Sequence, residues 1–341
     1  MEDYKMKKIL SLVICLALAT TMLTACNNAG NNNKGVKTGL AVISSAAKSS
    51  EATTEANGKV QVDSTAVGVL VDDKGVITNC VIDVIQSIYD YSATGEILTD
   101  LGTTFISKKE LGDAYNMKST SPIGKEWFEQ AEALEKYVTG KTLEEVKGIA
   151  VDGGYPTEED LTSSVTMNIA TIIDAIEKAV NNAKDLGAKE GDKLGLGLTS
   201  TAHKSSKNAS EEGDGLVQAY THYGLVSFDK DGKITSSIID ASQTNVSFNT
   251  EGKITSNLED TFKTKNELGY DYNMKDSSSI GKEWFEQSEA FSKYIKGKTV
   301  EDVKGISLDY GVPTDEDLAS SVTITITDYI TVVEKAAAVA K

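Results

Sequence analysis

The octapeptide Ile123-Gly124-Lys125-Glu126-Trp127-Phe128-Glu129-Gln130 returns unchanged as Ile280 to Gln287, 157 residues further on. The same offset pairs Tyr115-Asn116-Met117-Lys118 with Tyr272-Asn273-Met274-Lys275, Gly75 with Gly232, Asp83 with Asp240, Gly95 with Gly252 and Pro156 with Pro313. From about residue 58 to 337 the copies align without insertion. Solenoid repeats have periods of roughly 20–50 residues, so this is a duplicated domain. The expected units are 36–186 and 194–341, and the 341-residue length also suggests two domains. Their joint falls near Asn181-Asn182-Ala183-Lys184-Asp185-Leu186-Gly187, read as a helix end closed by glycine.

Each copy opens with strands. Val67 to Val71, the turn Asp72-Asp73-Lys74-Gly75 and Val76 to Ile85 predict two strands and a hairpin. Gly224 to Phe228, Asp229-Lys230-Asp231-Gly232 and Lys233 to Ile239 repeat them, and further short turns fall at Thr94-Gly95 and Glu251-Gly252. These Asp-rich turns lack the ligand spacing of a calcium loop. A helix is predicted from about Gly124 to Val138, with Trp127, Leu134 and Val138 on one stripe and Gly140 as its stop. Thr142-Leu143-Glu144-Glu145 is a capping box, repeated as Thr299-Val300-Glu301-Asp302. Strands followed by helices predict an α+β fold: two tandem homologous domains, each an antiparallel-rich sheet with packed helices.

Composition narrows the chemistry. Asp and Glu number 51 against 34 Lys and Arg, a net charge of −17. Phosphate backbones need clustered Lys and Arg, so nucleic acid is excluded as the main partner. The cysteines, at 15, 26 and 80, form no Cys-x-x-Cys pair, which argues against haem attachment, iron–sulfur clusters and thiolate zinc sites. Cys80 reads as a small core hydrophobe. His203 and His222, the only histidines, have no counterparts in the first copy and read as surface or incidental. Two histidines leave little for a catalytic triad, so a hydrolytic or group-transfer enzyme is disfavoured. Gly195-Leu196-Gly197 lacks the third glycine of a dinucleotide fingerprint.

Residues 1–25 read as an export signal: Lys5, Lys7 and Lys8 precede an apolar stretch from Ile9 to Leu23, too short for a comfortable membrane span. Its end, Leu23-Thr24-Ala25-Cys26, resembles the lipobox of bacterial lipoproteins. That resemblance implies cleavage before Cys26, acylation of its thiol, and anchoring at the extracytoplasmic face of the cell membrane. Residues 26–35, rich in Asn, would form a flexible tether.

An acidic, hydroxyl-rich junction precedes the last helix of each copy. It reads Asp160-Leu161-Thr162-Ser163-Ser164-Val165-Thr166 in the first and Asp317-Leu318-Ala319-Ser320-Ser321-Val322-Thr323 in the second. Apolar spacing over Val165, Ile169, Ile172, Ile173 and Ile176, and over Val322, Ile326, Tyr329, Ile330 and Val333, predicts a long helix. Thr166 and Thr323 would then sit in its first turns, with Ser163 and Ser320 as N-caps. Capping alone would explain the hydroxyls, yet a helix N-terminus also suits a phosphate. Glu158, Glu159 and Asp160, with Asp315, Glu316 and Asp317, suit such an end electrostatically. The junction resembles the flavinylation motif of FMN-binding domains, Asp-x-x-Ser/Thr-Gly-Ala-Thr/Ser, with Ser164 and Ser321 in place of Gly and Val165 and Val322 in place of Ala. The resemblance implies FMN joined by a phosphodiester to Thr166 and Thr323, two per chain. Asp160 and Asp317, with Ser163, Ser164, Ser320 and Ser321, complete the motif. The layout of lipobox, tether and two domains looks most like lipoproteins that carry electrons outside Gram-positive cells (the PplA type). It implies a flavin transferase for maturation, a membrane reductase as donor and an extracellular acceptor: an electron carrier more than a substrate-turnover enzyme. Trp127 and Trp284, or Tyr115 and Tyr272, are candidates to stack on the flavin ring. The competing reading is a non-redox ligand-binding or adhesion lipoprotein with a duplicated module.

Overall fold

A computed structural model describes residues 34–341; the signal segment, Cys26 and most of the tether lie outside the described residues. In the first repeat, β1 (Lys37–Ser45), β2 (Gly58–Val71) and β3 (Ile77–Tyr91) form an antiparallel sheet in that order. The β2–β3 hairpin turns as its sequence suggests: Asp72 Oδ1 accepts the Lys74 and Val76 N–H groups, and Gly75 takes φ 81°. Next come β4 (Thr104–Phe105), α1 (Lys108–Leu111), α2 (Trp127–Val138), α3 (Leu143–Lys147) and a small hairpin of β5 (Val151–Asp152) with β6 (Tyr155–Pro156). The repeat ends with α4 (Glu159–Thr162) and α5 (Ala170–Asn181). The second repeat follows the same plan: β7 (Lys193–Ala202), β8 (Gly215–Phe228), β9 (Ile234–Phe248), α6 (Lys265–Leu268), α7 (Trp284–Ile295), α8 (Val300–Lys304), β10 (Leu308–Asp309) with β11 (Val312–Pro313), α9 (Glu316–Ala319) and α10 (Thr327–Val339). The α+β architecture with antiparallel sheets is as the sequence predicts.

The strands run longer than their apolar cores suggest, and β1 and β7 are additional to the hairpin read from sequence. Both faces of the sheets are buried, which explains the extension. Val67, Val69 and Ile82 face α2 and α5, while Ala66, Leu70 and Val81 face the other repeat. The order of layers is helices, sheet, sheet, helices. One apolar cluster fills each helix–sheet layer. Between the sheets, Leu40, Leu70 and Ile85 meet Leu196, Tyr223 and Leu225, while Tyr91 stacks on Phe248 at 4.2 Å. Residues 35–341 are thus one compact unit containing both repeats.

The repeats also exchange edges. Thr104–Phe105 of the first repeat pairs with β7, giving the sheet order β4-β7-β8-β9. Reciprocally, Phe262 of the second repeat bridges to Ser44 of β1. Helices seat against strands through glycine. A Cβ at Gly39 would lie 2.0 Å from the Ala179 carbonyl oxygen, and one at Gly195 would lie 1.9 Å from that of Ala336.

Two boundary readings are corrected. The helix read from Gly124 begins at Trp127, capped by Glu126, because Gly124 takes φ 61° in the preceding turn. The last helix of the first repeat ends at Asn181 with Asn182 as its cap; Gly187 (φ 108°) lies beyond it.

Candidate functional site

The junction before the last helix departs from the sequence reading. Ser163 and Ser320 are C-caps of the short helices α4 and α9, not N-caps of the long ones. The long helices start at Ala170 and Thr327, so Thr166 and Thr323 precede them in an irregular segment. Val165 and Ile169 are still fully buried, as are Val322 and Ile326. Their spacing is met without a continuous helix because tertiary hydrogen bonds hold this backbone. Gln130, fully buried on α2, accepts from the Thr166 N–H at 2.8 Å and the Met167 N–H at 3.1 Å. The Ile169 N–H donates to the Gly154 carbonyl of the β5–β6 hairpin. In the second repeat Gln287 accepts from the Thr323 N–H at 2.8 Å, and the Ile326 N–H donates to Gly311.

Both glutamines belong to the repeated octapeptide, and each is fixed at its other end. Gln130 Nε2 donates to Ser121 Oγ and the Lys125 carbonyl, and Gln287 Nε2 donates to Ser278 Oγ and the Lys282 carbonyl. One turn earlier, buried Glu126 accepts the Met117 and Lys118 N–H groups, and Glu283 those of Met274 and Lys275. The octapeptide therefore ties the Tyr-Asn-Met-Lys loop and the threonine loop to a single helix start. Sequence reasoning missed Gln130 and Gln287; their identity in both copies was the available signal.

The threonine hydroxyls are half-buried and weakly held. Thr166 Oγ1 donates to Gln130 Oε1 at 3.3 Å and Thr323 Oγ1 to Gln287 Oε1 at 3.4 Å. Ser163 and Ser320 are exposed, and the hydroxyls of Ser164 and Ser321 turn back onto the carbonyls of Leu161 and Leu318. Asp160 and Asp317 are exposed in the first turns of α4 and α9. Glu158 instead accepts the Tyr137 hydroxyl and the Ala150 N–H. Neither Ser164 nor Ser321 has positive φ, so the backbone does not demand glycine there. Replacing either threonine hydroxyl hydrogen by a phosphoryl ester would leave the N–H bonds that shape the loop. The loop backbone therefore does not depend on a free hydroxyl at either position.

Around the loops the copies differ. Trp127 and Trp284 are buried core residues, while Tyr115 and Tyr272 are half-buried. Lys108 lies over the rings of Tyr115 and Trp127 at 4.6 and 5.3 Å. Its counterpart Lys265 is 3% exposed, lies over Tyr220, Tyr272 and Trp284, and donates to the Tyr220 hydroxyl at 2.6 Å. Burial pushes the Lys265 ammonium down to about 7. His222 is buried beside Tyr220, contrary to its reading as a surface residue, and burial lowers it to about 3. At neutral pH its 3.5 Å approach to Asp328 is therefore not an ion pair. Cys80 is buried, its thiol raised by desolvation.

Fold and site together describe a duplicated α+β protein that presents two equivalent, internally braced threonine loops. Among the described residues no group of three or more His, Cys, Asp or Glu side chains could hold a metal, and no helix is long and apolar enough to cross a membrane. The chain is similar to a chlorophenol reductase of Desulfitobacterium hafniense, at 33% identity over 33% of this chain and 41% of that protein. It thus spans less than half the length of that relative. No family model and no solved structure matches the chain.

Proposed function

We propose that this chain is an electron carrier, lipid-anchored through Cys26 at the extracytoplasmic face of the bacterial membrane, with FMN esterified to Thr166 and Thr323. The observation that carries the reading is the matching setting of the two hydroxyls. Each lies at the end of a motif resembling a flavinylation sequence, and each rests on a buried glutamine that also holds the loop backbone. Partial similarity to a reductase points the same way. The flavin would supply reversible electron uptake, chemistry the side chains themselves lack. Gln130 and Gln287 position the acceptor oxygens, and Tyr115 and Tyr272 offer half-buried aromatic surface packed against the same cores. A flavin transferase would load the sites, and a membrane reductase and an extracellular acceptor would flank the carrier.

The test is intact mass under denaturing conditions after co-expression with a flavin transferase active on a control domain. The expected gain is two FMN less two waters. Thr166→Ala and Thr323→Ala should each remove one unit, and the double variant both. An unmodified wild-type chain would overturn the flavin reading in favour of a non-redox binding module. Flavin retained in the double variant would overturn the site.

A further inference from the structure

The two repeats are not equally closed. In the first, Glu135 on α2 is 2% exposed and fills the space beside the free edge of β3. Its Oε1 accepts the Ile82 N–H at 2.6 Å and the Lys109 ammonium at 2.5 Å. The Lys341 ammonium lies 2.7 Å from Oε2, close enough for an ion pair though not aligned as a hydrogen bond. A buried carboxylate thus satisfies an edge-strand N–H and two cations.

The equivalent place in the second repeat lacks that carboxylate. Offset by 157, Glu135 becomes Ser292, Lys109 becomes Asn266 and Lys341 becomes Lys184. A cleft of about 760 Å³ opens there, between β1 and the end of α5 on one side and β9 and α7 on the other. Ile239 corresponds to Ile82. Its carbonyl, on the outer edge of β9, accepts from Ser288 Oγ and Asn266 Nδ2. Its N–H points the same way, because the N–H and C=O of one residue share a side in an antiparallel strand. Among the described residues that N–H has no hydrogen-bond partner, although Ile239 is 1% exposed and lines the cleft. A buried donor left unpaired is destabilising. Among the same residues Lys184 has no carboxylate within ion-pair distance, and Glu267, at the cleft wall, is paired to Lys178. The wall also offers Leu40, Val42, Ile238 and Phe285. A volume within the usual range for ligand sites, one apolar stretch of wall and a charged rim in which Lys184, Lys293 and Lys296 stand among Asp185, Asp240 and Glu289 make the cleft a candidate small-molecule pocket.

We propose that this cleft binds a small organic monocarboxylate, its carboxylate taking the place that Glu135 holds in the first repeat. It would accept the Ile239 N–H and pair with Lys184, while its apolar body lies against Ile238 and Phe285. The first repeat is the template, since the same backbone edge there is satisfied by a carboxylate between cations. The proposal does not depend on flavin.

The test uses the full chain produced without a flavin transferase, titrated calorimetrically with benzoate and with the neutral isostere benzyl alcohol. Saturable benzoate binding is expected, with benzyl alcohol weaker by at least about tenfold, the scale for losing a charged hydrogen-bonded partner. Ser292→Glu restores the carboxylate of the first repeat, and should block benzoate and raise the melting temperature. Lys184→Gln, which does not fill the cleft, should weaken benzoate by about tenfold and leave benzyl alcohol unchanged. Absence of saturable benzoate binding would overturn the proposal. So would benzoate affinity unchanged in both variants, or benzyl alcohol binding as tightly as benzoate.

Discussion

Gln130 and Gln287 each serve two backbone segments from inside the core, so their loss strands donors that nothing else can reach. Gln130→Leu should cost about 1–3 kcal/mol in urea unfolding, the penalty of unpaired buried N–H groups. Gln287→Leu should cost as much. If the threonine loops carry flavin, each variant should also lower incorporation at its own repeat only, read by peptide mass. Asp240 is a different case: it is buried, and desolvation pushes its carboxyl up to about 7, while its counterpart Asp83 rises to about 6. A carboxyl raised above its unfolded value keeps its proton in the folded state. Its contribution is complete below about pH 4 and is lost as pH rises toward 7. Asp240→Asn should therefore gain stability relative to wild type as pH rises from 4 to 6, approaching 1.4 kcal/mol per unit. A parallel pair of pH–stability curves would contradict this assignment. None of these roles was legible in sequence. Asp83 and Asp240 lie among apolar strand residues, where only the fold reveals that their partners are the Lys109 and Asn266 N–H groups.

At the scale of elements, the duplication was a better guide than periodicity. The hairpin turns, the capping boxes at Thr142 and Thr299 and the helix after the octapeptide were readable because local chemistry decides them. The junction helix was misread because Val165 and Ile169 keep helical spacing while their backbone is bonded elsewhere, to a glutamine and a hairpin. The threonines do occupy equivalent settings in the two repeats, but their brace lies 36 residues away in sequence. Close contact between α5 and β1 was equally hidden. Gly39→Ala would push a methyl into the Ala179 carbonyl and force the helix outward, with a cost of about 1–3 kcal/mol from overpacking. Thermal melts should show the same loss for Gly195→Ala, because the Ala336 carbonyl stands in the same relation to it.

For the whole molecule, the sequence suggested two units, and the structure shows how much they share. Leu40, Leu70 and Ile85 are buried by side chains from the other repeat, so heat should unfold residues 34–341 in one calorimetric transition. Residues 36–186 alone should self-associate or precipitate in sedimentation experiments, since half of the inter-sheet core would face water. Two resolved transitions, or a monomeric soluble fragment, would show that the shared core is not essential. The exchanged edges carry a consequence for biogenesis. Translation proceeds at about 5–20 residues per second, so a repeat 157 residues downstream trails its twin by roughly 8–30 s. Throughout that interval the newborn first sheet shows the face of Leu40, Val42 and Leu70 to whatever is near, and Ser44 waits for Phe262. The hazardous moment for this protein is its manufacture, and a holding chaperone that keeps the chain unfolded until export would guard a surface that the finished molecule largely buries.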